Sequence, residues 1–128
     1  MKLLLDAHVF LWLNLEPEKC SPKVLDLCQQ PETTLLLSMA SIWEIQIKHQ
    51  LGKLPLNVAL HTLIETGQVE YGLQLLSLAP EHIYGLESLP NHHRDPFDRL
   101  LIAQAKAEAL PLVSADQLIA RYPIEVIW

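Results

Sequence analysis

The sequence predicts an α/β fold: a three-layer α/β/α sandwich around a central, mostly parallel sheet of about five strands. Three observations lead there. Short apolar runs such as "LLL" at 3–5 and 35–37 lack the alternation of a half-exposed strand, so they suit strands covered on both faces. Longer stretches with helical spacing separate these runs, and strand–helix alternation favours parallel pairing through crossovers. Half of the 128 residues are hydrophobic, enough for a single domain spanning 1–128 with its own core.

Strands are expected at 2–5, 35–38, 73–78, 112–114 and, briefly, 125–128. Helices are expected at 8–14, 22–29, 41–50, 58–66, 81–89, 96–109 and 117–121. The helix at 96–109 has the fullest set of signals. Asp95 suits the N-cap, Pro96 the first helical position and Asp98 the first turn. Phe97, Leu101 and Ala105 recur at helical spacing, Leu100 widens the apolar stripe, and Pro111 lies beyond the end. No repeat, linker or low-complexity tract interrupts the chain.

Composition removes several classes of function. Fifteen acids against nine Lys and Arg give a net charge of −6, which disfavours a passive nucleic-acid coat. The four glycines cannot spell a dinucleotide-binding, P-loop or hydrolase-elbow signature. Cys20 and Cys28 are too few for a disulfide framework and read as reduced thiols in a cytoplasmic setting. No apolar run is long enough for a membrane span. Asp6 and His8 break the apolar N-terminus, so a mature soluble start is expected rather than a signal peptide.

The acids fall in a pattern. Asp6 ends the first strand, Glu44 lies early in the helix after the second, and Asp116 follows the fourth. All three map to the carboxyl edge of the sheet, where open α/β sheets build their sites. Asp98 reaches that edge if its helix starts there. Each acid has a plainer reading. Asp6 and Asp116 could cap helices, Glu44 could pair with Lys48 at i,i+4, and Asp95 and Asp98 could simply favour a helix start. Convergence would be costly, because two like charges 4 Å apart repel by roughly 4 kcal/mol at an effective dielectric of about 20. Such a cluster calls for protons, cationic side chains or a metal. Hard oxygen donors without Cys or His companions favour Mg²⁺ or Mn²⁺.

Four strings, taken together, resemble the PIN-domain family: "LLLDAHVFLWL", "SMASIWEIQIKHQLGKL", "HRDPFDRLLIAQA" and "LPLVSADQLIARYPIEVIW". Within that family they are similar to the small VapC-like toxins of bacterial toxin–antitoxin pairs. The likeness runs in order along nearly the whole chain. It implies a PIN-like sandwich, usually dimeric, that acts as a metal-dependent endoribonuclease with Mg²⁺ or Mn²⁺. The family's four acids match Asp6, Glu44, Asp98 and Asp116. Ser114 matches a position commonly held by Thr or Ser beside the last acid. Ala7 departs from the Thr or Ser that often follows the first Asp, which removes any hydroxyl contact there.

The resemblance also supplies partners: an RNA substrate, a cognate antitoxin and a second copy of the chain. An antitoxin could insert Arg or Lys among the carboxylates. His92, His93, Arg94 and Arg99 cluster near the acids and are candidate phosphate contacts with Ser114; the ion pairs Arg94–Asp98 and Asp95–Arg99 are the plainer reading. His92 and His93 are adjacent, which makes a joint metal site the weaker idea. Trp12, Trp43 and Trp128 suit a core or interface better than base stacking. The main rival is a catalytically silent PIN-like module that binds RNA or partners, against which the four retained acids speak. A phospho-acceptor domain lacks its second acid and late Lys, and a DNase or phosphatase would share the same metal chemistry.

Overall fold

The computed structural model describes all residues, Met1–Trp128. Five strands form one sheet: β1 (Lys2–Leu5), β2 (Thr34–Ser38), β3 (Gln74–Leu76), β4 (Leu112–Val113) and β5 (Val126–Ile127). Their order is β3-β2-β1-β4-β5, and every neighbouring pair is parallel. The six α-helices are α1 (Ala7–Leu15), α2 (Pro22–Gln29), α3 (Met39–Gln50), α4 (Leu60–Tyr71), α5 (Pro80–Tyr84) and α6 (Pro96–Ala107). No helix is long and apolar enough to cross a membrane.

The apolar runs divide between two cores because side chains alternate across a strand. Leu3, Leu5, Leu35, Leu37 and Val113 face a core completed by Phe10 of α1, Val24 of α2, Ile45 of α3 and Leu63 of α4. Leu4, Leu36 and Leu112 point the other way, onto Leu101 and Ile102 of α6 with Ile119 and Tyr122. These are the expected three layers. Leu3, Leu4, Leu5, Leu35 and Leu37 are at most 1% exposed, which explains why the strands read as unbroken apolar runs.

Two strands pass into helices without a loop. Asp6 caps α1 by accepting the His8 amide at 2.9 Å, and Ser38 caps α3 by accepting the Ala40 amide at 3.0 Å. Helix α6 runs back along the sheet before the parallel strand β4. Its N-terminus therefore lies at the carboxyl edge, and Asp98 with it.

Several boundaries differ from expectation, each for a local reason. Helix α4 continues to Tyr71, through Gly67, and stops at Gly72, whose φ of 64° supplies the left-handed cap. Gly67 is a close-packing residue: a Cβ there would stand 3.1 Å from Leu73 Cδ2. The 81–89 segment is the short helix α5 followed by a 3-10 turn at Gly85–Ser88. The 117–121 segment forms only a 3-10 turn, Ile119–Arg121. Helix α6 ends at Ala107, two residues short of expectation, and Ala109 beyond its cap has φ 53°. There the Leu110 amide bonds Ala105 O at 2.9 Å and the Ala109 amide bonds Lys106 O at 3.3 Å, a Schellman closure on a non-glycine residue.

Candidate metal and active site

The carboxyl edge of β1 and β4 forms the floor of a cleft of about 310 Å³, with Asp6, Asp98 and Asp116 in its lining. His8 lines it too, and also lines an adjoining cleft of about 230 Å³ that holds Glu44, Lys48 and Lys53. The structure thus brings Asp6, Asp98 and Asp116 around one opening, with Glu44 approaching from α3. Glu44 lies in the second turn of that helix, and its oxygen, one from Asp95 and one from Asp98 lie within 4.8 Å of one another. A second such group is His93, Asp98 and Asp116.

Asp6 is 6% exposed. Its Oδ1 accepts the His8 amide and lies 3.6 Å from His8 Nδ1, and its Oδ2 accepts the Ser114 hydroxyl at 2.7 Å. Burial pushes this carboxyl up, but the His8 side chain, the Ser114 hydroxyl and the His8 amide outweigh it and hold Asp6 below the usual range. The His8 imidazole is correspondingly raised by its bond to Asp6.

Asp98 is the opposite case. Burial first, then the charges of Asp95, Asp6 and Glu44, push it up to about 7, with only His93 opposing. Glu44 is 5% exposed and pairs with Lys48 Nζ at 2.8 Å, so its plainer reading and its place beside the other acids hold together. That pair raises Lys48. Asp95 takes its expected cap, accepting the Phe97 and Asp98 amides at 2.8 and 3.2 Å. Asp116 Oδ1 accepts the Leu118 amide at 2.8 Å.

The residues expected at the phosphate are arranged differently. Ser114 is 2% exposed; it donates to Asp6 and accepts the Asp116 amide at 3.1 Å, so it ties two acids together from beneath. Arg99 turns inward: its guanidinium donates to Pro90 O at 2.7 Å, Tyr122 Oη at 3.2 Å and Leu86 O at 3.3 Å. Those bonds make it a brace for the 86–93 segment, and neither expected i,i+4 ion pair forms among the salt bridges of this region. His93 is turned to the acids, with Nε2 at 2.9 Å from Asp116 and 3.1 Å from Asp98. Arg94 of this group is exposed.

Sequence reasoning missed Tyr122, whose buried oxygen accepts the His92 and His93 amides at 3.1 and 2.8 Å. It also left His8 out of the site, although the ring Nδ1 lies 3.6 Å from Asp6 Oδ1. The signal for His8 was its place two residues after an N-cap Asp; nothing local marks Tyr122.

The donors fit a hard divalent cation. Carboxylate oxygens converge, Lys48 is the one lysine or arginine paired with them, and burial with the neighbouring acids pushes Asp98 up to about 7. An acid cluster at the carboxyl edge of a five-stranded parallel sheet defines a class of metal-site α/β domains. The chain belongs to the PIN domain family, which it matches over residues 3–125. Solved structures carry the same fold. VapBC2 from Rickettsia felis bound to a promoter DNA fragment is similar at TM-score 0.75 and 15% identity, over 99% of this chain and 98% of that one. FitAcB from Neisseria gonorrhoeae is similar at TM-score 0.64 and 17% identity, over 98% and 96%. VapBC-1 from nontypeable Haemophilus influenzae is similar at TM-score 0.61 and 15% identity, over 99% and 97%. No curated protein matches the sequence.

Proposed function

We propose that this PIN domain is a Mg²⁺-dependent endoribonuclease, with Mn²⁺ an alternative ion, acting in the cytoplasm as the toxin of a toxin–antitoxin pair. The observation that carries the reading is the acid cluster: three carboxylates around one cleft, with Asp98 pushed up to about 7 by burial and then by its acidic neighbours. Family membership and the likeness to VapBC structures support the toxin role and a cognate antitoxin as partner; the homodimer rests on the sequence resemblance alone.

Asp6, Asp98 and Asp116 are the residues that would hold the ion, with Glu44 completing the set. A divalent cation there would offset charge building on a scissile phosphate and make water a better nucleophile. The chain's own groups prepare for it. His8 and Ser114 keep Asp6 ionised and its carboxylate fixed. Lys48 holds Glu44 in the cluster. Arg94, exposed and next in sequence to His93, would meet the RNA backbone.

The test compares purified wild type with Asp6→Asn on total RNA, with Mg²⁺ and with EDTA, and with single-stranded DNA as control substrate. Discrete RNA fragments from wild type alone, lost with EDTA, support the proposal. Equal cleavage by Asp6→Asn removes the site. A folded wild type that binds Mg²⁺ and cuts nothing favours the silent module.

A further inference from the structure

We infer that His93 is a positioning residue for the metal site: a hydrogen-bond donor that holds Asp98 and Asp116 together, and not itself a metal ligand. The inference rests on the proposed metal site. Its geometry is defined at both ring nitrogens. The Asp95 amide donates to His93 Nδ1 at 3.1 Å, so that nitrogen presents its lone pair. The ring hydrogen therefore belongs on Nε2, which faces Asp116 Oδ2 at 2.9 Å and Asp98 Oδ2 at 3.1 Å. A single N–H shared between two carboxylates keeps them converged. It also engages one oxygen of each and leaves Asp98 Oδ1 for other partners.

Ligation through Nε2 would need that hydrogen on Nδ1. There it would meet the Asp95 amide, donor against donor. The segment is also braced for its task. Tyr122 Oη receives the His93 amide at 2.8 Å and Arg99 Nη1 at 3.2 Å, and Arg99 clasps Pro90 O. The brace spans 29 residues from His93 to Tyr122, and it is the reason a loop side chain can sit at fixed distances from two acids.

The experiment measures Mg²⁺ binding by calorimetry, without RNA, for wild type, His93→Ala, His93→Asn and His93→Gln, with folding checked by thermal unfolding. Asn retains an acceptor for the Asp95 amide but lacks the reach to the acids, whereas the Gln amide can approach the Nε2 position. His93→Ala and His93→Asn should weaken Mg²⁺ binding by about 10–100-fold, and His93→Gln should recover most of it. Nitrogen-15 NMR of the wild-type imidazole should show the Nε2–H tautomer with and without Mg²⁺. Wild-type affinity in both loss variants overturns the inference while leaving the metal site standing. An Nδ1–H tautomer in the Mg²⁺-loaded protein overturns it in favour of ligation. Absence of Mg²⁺ binding by wild type overturns both this inference and the proposed metal site.

Discussion

Ser114 donates its hydroxyl to Asp6 Oδ2 at 2.7 Å, joining the ends of β4 and β1 across 108 residues of sequence. The Ser114 hydroxyl oxygen in turn accepts the Asp116 amide at 3.1 Å, so one buried side chain sets the spacing of two acids. Bonds of this type, to an ionised acceptor in a water-poor setting, are stronger than neutral ones.

Ser114→Ala should therefore cost about 1–3 kcal/mol of stability, because a charge-assisted bond is lost and the Asp116 amide loses its acceptor. The Asp6 carboxyl should rise at the same time. Ser114→Thr keeps the hydroxyl and should retain most RNA cleavage. Urea unfolding of the two variants, with carboxyl titration by NMR, checks the pair; equal stability of Ser114→Ala and wild type would refute the coupling.

The raised Asp98 makes a signed prediction. Its folded pKa, about 7, stands above the ordinary aspartate value of 3.8, so the folded protein binds the extra proton. Stability of the metal-free protein should be highest below the lower value and fall as pH rises between the two. Asp98→Asn should remove this loss and stabilise the metal-free protein at pH 8 by on the order of 2–4 kcal/mol, with little gain at pH 4. Thermal melts in EDTA at the two pH values measure it.

Added Mg²⁺ should act through the same repulsion. It should raise the melting temperature of wild type more at pH 8 than at pH 5, because ligand bound only by the folded state stabilises it and protons compete for the same oxygens. Asp6→Asn should blunt the shift. A melting temperature indifferent to Mg²⁺ at both pH values counts against the metal site.

Gln104 tests the polar seam beneath α3. Fully buried, it accepts the Ser38 hydroxyl, and its amide nitrogen lies 3.4 Å from both Ser77 O and His82 Nδ1. Gln104→Leu makes the α6 face more apolar yet strands these partners. It should lower stability by about 1–3 kcal/mol. Since Ser38 caps α3, which carries Glu44, cleavage should drop as well; differential scanning calorimetry and the RNA assay report the two effects.

Much of this protein was legible locally. The apolar runs at Leu3–Leu5 and Leu35–Leu37 fixed the strands, because burial on both faces leaves no polar position in them. The Asp95–Pro96 pair marked the start of α6, because cap geometry depends on adjacent residues. The acids at strand ends were visible for the same reason. What only the tertiary structure decided is how distant side chains meet. Arg99 reads as a surface cation from its neighbours, but Tyr122, Pro90 and Leu86 draw its guanidinium inward. His93 reads as one of two loop histidines, yet the Tyr122 brace and the Asp95 amide turn its ring onto Asp98 and Asp116. Hydrophobic period and capping act over a few residues and leave a trace in the sequence. Hydrogen bonds between loops, and the burial and repulsion that lift Asp98, exist only once folding has closed those distances.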